Sequence, residues 1–320
     1  MPKVVVTSKI PRVGIDALED AGFEVVGNPT ERLLKGEELK NFVKDADAVL
    51  CLILDRITKE IIDAAGSNLK IIANYGMGFD NIDVAYAKEK KILVSNTPSP
   101  LSAQSVAEHT IALIFSVAKR IVEGDEFGRK GNFGGWKPEI FLGQNLAGKT
   151  LGIIGLGNIG CLVAKMAKGL GMRVVYNKRN RDCKLEEKYG LEYLSLENLL
   201  RESDVISLHT PLTAETRHLI DAERINSMKN SAILINTARG PIVDESALVE
   251  ALKNGKLFGA GLDVFEYEPE INPELCGLPN VVLTPHTASA VREVRDEMAI
   301  MAAKNIVEAL NGRQPKNLVK

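Results

Sequence analysis

Histidines are the side chains whose charge changes near neutral pH, and this chain has four of them. His209 and His286 each follow a short apolar run that is typical of a buried strand. His109 lies inside a long helical pattern, and His218 lies in a loop or at a helix start. Catalytic groups of parallel α/β proteins stand beyond the carboxyl ends of the strands. Position therefore favours His209 and His286 for proton transfer, with a structural role as the alternative for either.

A glycine-rich turn follows the predicted strand Thr150–Ile154, and its glycines have the spacing Gly-x-Gly-x-x-Gly. The first glycine of such a turn allows the tight bend, the second lets the backbone approach a pyrophosphate, and the third lets helix and strand pack closely. Apolar residues at helical spacing follow, and then a second strand at Arg173–Tyr176. This context predicts a dinucleotide site with the pyrophosphate at the positive helix N-terminus. The residues predicted to contact the cofactor here are Gly155, Gly157, Asn158, Ile159 and Gly160.

The end of that second strand indicates which dinucleotide binds. Sites for NAD place a carboxylate about 20 residues after the glycines, where it binds the ribose 2′-hydroxyl. Here Lys178 stands 18 residues after Gly160, and no Asp or Glu lies between Gly160 and Asp182. Lys178, Arg179 and Arg181 instead offer positive charge and the planar guanidinium that suits a 2′-phosphate. We predict NADP(H) as the preferred cofactor and NAD(H) as a second one; the alternative is a solvated basic loop.

Three motifs in the second half of the chain resemble the signature of the D-isomer-specific 2-hydroxyacid dehydrogenases. They are the sequences Asn236–Gly240, Gly261–Pro269 and Pro279–His286. The resemblance covers essentially the whole chain, since it also includes Gly76–Asp83 and the glycine-rich turn. It implies an enzyme that transfers a hydride between a nicotinamide cofactor and a small 2-keto or 2-hydroxy acid.

The resemblance also implies a role for each polar residue of these motifs. Arg239 would bind the substrate carboxylate, and His286 would be the general acid in reduction. Glu268 would hold the His286 imidazole by a hydrogen bond and favour its protonated form, with Glu266 as the competing carboxylate. Asp263 would receive the nicotinamide carboxamide. Further residues expected along the cofactor are Pro211, Thr216, Thr237 and Ala238.

In the first third of the chain, the glycine turn after the run Leu69–Asn74 resembles the family's substrate turn. The backbone amides of Met77 and Gly78 would face the substrate carboxylate, and a plain glycine turn is the alternative. Farther on, Gly124–Gly143 and the last residues of the chain resemble the glyoxylate/hydroxypyruvate reductase branch.

Other members of the family stay open as alternatives, namely phosphoglycerate dehydrogenase and 2-ketogluconate reductase. A function of another class is a nucleotide-sensing corepressor that uses the same fold for binding only. Ala288 and Val291 depart from the residues that are frequent after the family's histidine, which bears on the size of the substrate more than on the chemistry.

The elements that must position these residues alternate between short β-branched runs and helical patterns, which predicts an α/β fold with parallel sheets. We expect two Rossmann-like or flavodoxin-like domains with an interdomain cleft. A break at Thr97–Pro100 precedes a helix predicted over Ser102–Lys119. The last helical pattern has no strand after it, so it is assigned to the first domain. The predicted domains are a substrate-binding domain of residues 1–99 plus 289–320 and a dinucleotide-binding domain of residues 100–288.

The amino-acid composition limits the classes of partner that we expect this protein to bind. The net charge is −2 without a basic block, and no apolar run has the length of a membrane span, so we expect neither nucleic acid nor a membrane as partner. The four cysteines have no metal-ligand spacing, so no metal is expected, and the location expected is the cytoplasm. The helix before the glycine-rich arm, and the arm with Trp136, resemble the family's dimer-forming segment. We therefore expect a homodimer with Trp136 near the partner's active-site mouth.

Overall fold

The computed structural model describes residues 1–30 and 32–319. The chain forms two compact units: unit 1 comprises Met1–Ser102 with Ala290–Lys320, and unit 2 comprises Ala103–Ser289. In chain order the strands are β1 (Lys3–Val6), β2 (Glu24–Gly27), β3 (Ala48–Leu52), β4 (Ile71–Tyr75), β5 (Leu93–Ser95), β6 (Thr150–Ile154), β7 (Arg173–Asn177), β8 (Glu192–Tyr193), β9 (Val205–Leu208), β10 (Ile233–Asn236), β11 (Gly259–Leu262) and β12 (Val281–Leu283). The helices are α1 (Arg12–Asp20), α2 (Glu37–Phe42), α3 (Lys59–Ala65), α4 (Val84–Glu89), α5 (Pro100–Ala118), α6 (Ile121–Arg129), α7 (Asn158–Gly169), α8 (Cys183–Tyr189), α9 (Leu196–Glu202), α10 (Ala222–Ser227), α11 (Glu245–Lys253), α12 (Pro273–Cys276) and α13 (Arg292–Leu310).

Unit 1 is built on a five-stranded parallel sheet in the order β2-β1-β3-β4-β5. Successive side chains of a strand point to opposite faces, and both faces of β1 are buried. Val4 and Val6 belong to one apolar layer, and Val5 belongs to the other. The near-continuous apolar sequence of the strand follows from having a covered sheet face on either side.

Helix α13 completes unit 1, because it packs against α1 and β4 although it follows unit 2 in the chain. Gly14 of α1 makes the approach close, since a Cβ there would lie 2.8 Å from the Cβ of Ala299. The buried residues of α13 recur at the spacing of one helix face; they include Val294, Met298, Ala302, Ile306 and Ala309.

Unit 2 contains a seven-stranded parallel sheet in the order β12-β11-β10-β9-β6-β7-β8. From β8 to β11 this is the strand order of the dinucleotide-binding fold, with β12 added at one edge. Glycines in β11 let α5 lie close to the sheet: a Cβ on Gly259 would be 2.8 Å from Val117 Cγ1, and one on Gly261 would be 3.1 Å from Leu113 Cβ. The predicted α/β class with parallel sheets is confirmed in both units.

Some element bounds differ from the sequence predictions. The long helix begins at Pro100 rather than at Ser102, because proline suits a first helical turn, where its missing N–H needs no partner. The motif Gly261–Pro269 begins in strand β11 and continues beyond it, since the pairing of β11 with β10 ends at Leu262. The stretch Gly124–Gly143 is not uniform, since its first residues continue helix α6.

The prediction that no apolar run has the length of a membrane span is wrong for helix α5, which is long and apolar enough, by length and composition, to cross a membrane. In the protein, 56% of its most apolar stretch is buried. Its residues Leu113, Ile114 and Val117 belong to the apolar core of unit 2. Core packing therefore accounts for the composition of this helix.

Candidate active site

The glycine-rich turn of unit 2 joins β6 to α7. Gly155 has a φ of 97°, a conformation that side chains rarely adopt, and a Cβ there would lie 2.5 Å from the His209 carbonyl oxygen. A Cβ on Gly160 would lie 2.4 Å from the Gly155 carbonyl oxygen. A Cβ on Gly157, in contrast, would meet no atom within 4 Å. Gly155 and Gly160 therefore allow close backbone contacts within the turn. Gly157 leaves open space before the first helical residues, Asn158 and Ile159.

The basic turn directly follows β7. Lys178 Nζ lies 3.8 Å from Asp182 Oδ2. Arg181 donates two hydrogen bonds of 2.8 Å to the Glu186 carboxylate, and this contact lowers the pKa of Glu186 to about 2. Arg179 is exposed at the tip of the turn. The structure thus holds Arg181 against an acidic partner and places Lys178 and Arg179 nearer to the end of β7.

Arg239 lies three residues beyond the end of β10, in a segment that Asn236 fixes. The Asn236 side chain donates to the Arg239 carbonyl oxygen at 2.9 Å and accepts from the Ala238 amide at 3.0 Å. Arg239 Nη1 donates to the Ala238 carbonyl oxygen at 2.8 Å. Thr237 is buried, and its hydroxyl lies 2.9 Å from that of Thr110 on α5. The backbone that carries the guanidinium is therefore held on both sides.

His286 lies just beyond β12 and pairs with Glu268. Its Nδ1 lies 2.8 Å from Glu268 Oε2, and Oε1 of the same carboxylate accepts from the Phe265 amide at 2.9 Å. His286 has a φ of 53°, a left-handed conformation that costs a non-glycine residue roughly 1–2 kcal/mol. Its amide donates to the carbonyl oxygens of Asp263 and Thr284, which holds that conformation. With Nδ1 engaged, Nε2 is the ring nitrogen left for a ligand.

Asp263 is buried between β11 and the segment that follows β12. Its carboxylate accepts from the Thr284 hydroxyl at 2.7 Å and from the amides of Thr287 and Ala288 at 2.8 and 3.0 Å. His109 Nε2 lies 2.9 Å from the Thr284 hydroxyl and 3.4 Å from Asp263 Oδ1. Burial alone would raise the pKa of Asp263, but these hydrogen bonds hold it below its ordinary value. Asp263 is therefore an ionised acceptor at the carboxyl edge of the sheet.

The segment after β9 carries the remaining predicted cofactor contacts. The Thr216 hydroxyl donates to the Pro211 carbonyl oxygen at 2.7 Å and accepts from the Thr213 amide at 2.7 Å, which closes a turn. His209, at the end of β9, lies with Nε2 2.8 Å from the Ser207 hydroxyl. Burial lowers the pKa of His209 to about 3, so this histidine stays neutral. Of the two histidines at strand ends, the one paired with a carboxylate is His286.

In unit 1, two asparagines fix the glycine turn after β4. Asn96 Nδ2 donates to the Met77 carbonyl oxygen at 2.7 Å, and Asn74 Nδ2 donates to the Gly78 carbonyl oxygen at 2.6 Å. Asn74 is fully buried in β4 and also accepts from the Asn81 side chain at 3.2 Å. Both carbonyl groups therefore point back toward the protein.

The amides of the same turn point the other way. The Gly76 carbonyl oxygen accepts from the Thr97 amide at 2.9 Å, so three successive carbonyls face the protein. In a trans peptide the N–H is opposite to the C=O, so the N–H groups of Met77, Gly78 and Phe79 face away from these partners. Backbone N–H groups of this kind are donors for an anion.

Some residues of these clusters were missed in the sequence. His109 was assigned to a helix interior, and its place beside Asp263 depends on how α5 crosses the ends of β11 and β12, which no local pattern reveals. Asn74 does carry a signal, because it is a polar residue within the otherwise apolar run Ile71–Tyr75. A fully buried amide of this kind needs hydrogen-bond partners, and here one of them is the glycine turn.

Comparisons with known proteins find similar proteins and structures over nearly the whole chain. The family model described as D-isomer specific 2-hydroxyacid dehydrogenase, NAD binding domain, matches residues 111–288. A glyoxylate reductase from Thermococcus litoralis is 47% identical over 322 residues, with 99% of this chain and 96% of that protein covered. A crystal structure of a protein from Thermus thermophilus has a TM-score of 0.91 at 45% identity and covers 99% of this chain and 100% of its own. An NADPH-dependent glyoxylate/hydroxypyruvate reductase from Sinorhizobium meliloti, solved with NADP and malonate, has a TM-score of 0.86 at 30% identity, with 99% and 96% covered.

Proposed function

Because the chain belongs to the D-isomer-specific 2-hydroxyacid dehydrogenase family, in its glyoxylate reductase branch, we propose that it reduces glyoxylate or hydroxypyruvate with NADP(H) in preference to NAD(H). The product is the D-2-hydroxy acid, and His286 is the general acid. The observation that carries this proposal is the 2.8 Å hydrogen bond between Glu268 Oε2 and His286 Nδ1. It orients the imidazole and leaves Nε2 to exchange a proton with a substrate oxygen.

The glycine-rich turn fits a nicotinamide dinucleotide. Gly157 leaves a space that any side chain would fill, directly before the N-terminus of α7. The first amides of α7, at Asn158 and Ile159, suit the pyrophosphate. Asp263, the residue that the family resemblance assigns to the carboxamide, lies ionised at the carboxyl edge of the same sheet. When bound, the cofactor supplies the hydride for reduction.

The chain's own residues handle charge and protons. The Arg239 guanidinium binds the substrate carboxylate, because its planar fork matches two carboxylate oxygens, and it polarises the adjacent carbonyl. His286 Nε2 donates its proton to the carbonyl oxygen as negative charge develops there. Glu268 holds the ring in place through its hydrogen bond to Nδ1.

The preference for NADP(H) rests on Lys178 and Arg179 at the end of β7, where an NAD site has a carboxylate. These cations suit a 2′-phosphate. The NADPH-dependent relative from Sinorhizobium meliloti supports the same preference. Arg181 contributes less, since its guanidinium is bound to Glu186.

The glycine turn after β4 in unit 1 suits a carboxylate as well, and we assign it to the substrate. Its donors are the amides of Met77, Gly78 and Phe79. Backbone donors of this kind bind a carboxylate but do not contact the rest of the acid, which agrees with a small substrate such as glyoxylate.

We also propose a homodimer that uses the arm after α6. Large apolar side chains are exposed there, with Phe133 72%, Trp136 83% and Leu142 61% accessible. Val122 of α6 lines a cavity of about 230 Å³. This cavity lies where β11 and β12 begin, whereas His286 lies at the opposite edge of the sheet, beyond the end of β12. A second copy would cover this surface, which is a liability when exposed. Light scattering should give twice the chain mass, and a monomer would contradict this part of the proposal.

The test of the function is a spectrophotometric assay with glyoxylate, hydroxypyruvate and 2-ketogluconate, each with NADPH and with NADH. We expect oxidation of NADPH by glyoxylate or hydroxypyruvate, much faster than oxidation of NADH. Turnover with NADH alone would overturn the cofactor preference. No turnover with any pair would overturn the proposed reaction and favour a role in nucleotide binding.

A further inference from the structure

Two glutamates in the segment after β11 have different partners. Glu268 contacts His286, as described, whereas Glu266 contacts residues that lie outside that pair. Glu266 Oε1 lies 2.7 Å from His218 Nε2, and its Oε2 accepts from the Glu245 amide at 3.3 Å. The side chain of Glu266 is only 6% exposed, whereas that of His218 is 41% exposed, so the carboxylate is buried beneath a histidine that reaches the surface.

The backbone of Glu266 is tied to the same neighbours. Its amide donates to Glu245 Oε2 at 3.1 Å, so the two glutamates bind each other's amide groups. The other charged groups that face Glu266 are His218 and Arg217, whose Nη1 lies 3.9 Å from Oε1. Cationic or donor groups therefore approach one carboxylate oxygen, and a helix N-terminus approaches the other.

The turn that carries Arg239 rests directly on this segment. A Cβ on Gly240 would lie 1.9 Å from the carbonyl carbon and oxygen of Phe265 and 2.4 Å from the Glu266 amide nitrogen. Glycine is therefore required at position 240, and the two backbones are in contact. A shift of Phe265 or Glu266 would therefore displace Gly240, the residue next to Arg239.

His218 binds the same turn from the other side. Its amide donates to the Pro241 carbonyl oxygen at 2.8 Å, and its φ of 50° places it in the left-handed region. A histidine holds such a conformation only when its surroundings fix it. The hydrogen bonds to Pro241 and Glu266 are the contacts that do so here.

We propose that Glu266 is a positioning residue, which clamps the Arg239 turn and the Glu268 segment into one arrangement through His218 and Glu245. The inference rests on the proposed function, because it assigns a task to residues that serve Arg239 and His286. Glu266 itself does not touch substrate. Its removal should disturb substrate binding and proton transfer together, since the two groups share one backbone support.

The experiment compares Glu266→Gln with wild type by steady-state reduction of the keto acid across a range of pH. A misplacement of about 1 Å costs roughly 100-fold in rate, so we expect kcat/KM to fall by about 10- to 100-fold. KM for the keto acid should rise, and the pH profile of kcat should move toward that of Glu268→Gln. NADPH affinity, measured by fluorescence, should stay within about twofold, because the glycine-rich turn is elsewhere. The matched control is Glu270→Gln, an exposed glutamate four residues on, which should behave as wild type.

A second pair of variants keeps the inference open to refutation if Glu266→Gln folds poorly. His218→Gln retains a donor where Nε2 stands and should keep most of the activity, whereas His218→Ala should reproduce the effects of Glu266→Gln. A purely structural role would lower Tm and scale kcat equally at all pH values, with KM and the pH profile unchanged; that result would overturn the inference. An inactive wild-type protein would overturn the proposed function and this inference with it, whereas an active wild type with unaffected variants would overturn the inference alone.

Discussion

The two sheets reverse their strand order beside their first strand. In unit 1, β1 lies between β2 and β3, and in unit 2, β6 lies between β7 and β9. Such a reversal opens a crevice at the carboxyl edge of a parallel sheet, where ligands of α/β proteins bind. The residues that follow the first strand are nevertheless of opposite kinds in the two units.

In unit 1 the residue after the strand is Thr7, whose hydroxyl donates to Asp55 Oδ2 at 2.5 Å. The Leu52 amide donates to the same oxygen at 2.7 Å, and burial raises the pKa of Asp55. A closed, acidic turn of this kind does not suit a phosphate. In unit 2 the residue after the strand is Gly155, and Gly157, two residues farther on, leaves open space in the turn. The comparison shows that strand order supplies the crevice, whereas the residues of the turn decide what can occupy it.

The largest effect is expected from His286→Ala, which tests whether the chemistry lies at the carboxyl edge of unit 2. We expect kcat for keto-acid reduction to fall about 1000-fold, because a positioned general acid contributes roughly 10²- to 10⁴-fold. NADPH affinity, measured by fluorescence, should change by less than about twofold. A variant that turns over at the wild-type rate would remove His286 from the mechanism.

The next effect is expected from Gly157→Val, which closes the turn of unit 2. A Cβ at this position meets no protein atom within 4 Å, so Tm should stay within a few degrees of wild type. NADPH affinity should fall about 30-fold or more, because the side chain occupies the place of the pyrophosphate. The control is Gly27→Val at the end of β2, where a Cβ also meets nothing within 4 Å. If both variants lowered NADPH affinity equally, the proposed difference between the two units in ligand binding would be wrong.

A smaller effect is expected at the basic turn. Arg179→Ala should weaken NADPH binding about tenfold and leave NADH binding unchanged, because one charge-assisted contact to the 2′-phosphate is lost. Arg181→Ala is the matched control, since its guanidinium is bound to Glu186, and it should change NADPH binding much less. Titrations of both cofactors by fluorescence decide the matter; an equal loss of NADPH and NADH affinity would count against a phosphate contact.

The smallest effect is the pH dependence of folding stability, which has opposite signs for His209 in unit 2 and Asp55 in unit 1. Burial lowers the pKa of His209 from 6.5 to about 3, so this residue binds fewer protons in the folded protein than in the unfolded chain. The stabilisation is present above pH 6.5 and is lost as the pH falls toward 3. For Asp55 the pKa is raised, so stabilisation is present below pH 3.8 and is lost as the pH rises through the raised value.

Thermal melts of His209→Asn and Asp55→Asn against wild type measure this difference. The Tm of His209→Asn should gain on wild type as the pH falls, and that of Asp55→Asn should gain as the pH rises. Parallel pH dependence of the two Tm differences would contradict the opposite signs.

Much of this arrangement follows from local patterns. The glycine spacing after β6 and the apolar strands identify a dinucleotide turn, because each glycine answers a separate steric demand that can be read along the chain. The contact of His109 with Thr284 joins residues 175 positions apart, and the sequence has no periodicity that reports such a distance. The choice between Glu266 and Glu268 likewise depended on where His218 and His286 lie in space, which is why the sequence left Glu266 as a competitor.

Unit 1 is formed by segments on either side of unit 2, since α13 packs against α1 and β4. During synthesis the ribosome delivers α13 only after every residue of unit 2 has been made. Throughout that time α13 does not yet cover the apolar faces of α1 and β4, so these faces stay exposed. Unit 2 is continuous and can complete its sheet first, because domains fold as units while the chain emerges. The part of the protein that is translated first is thus finished last, and its uncovered face is where a nascent chain would most need a chaperone.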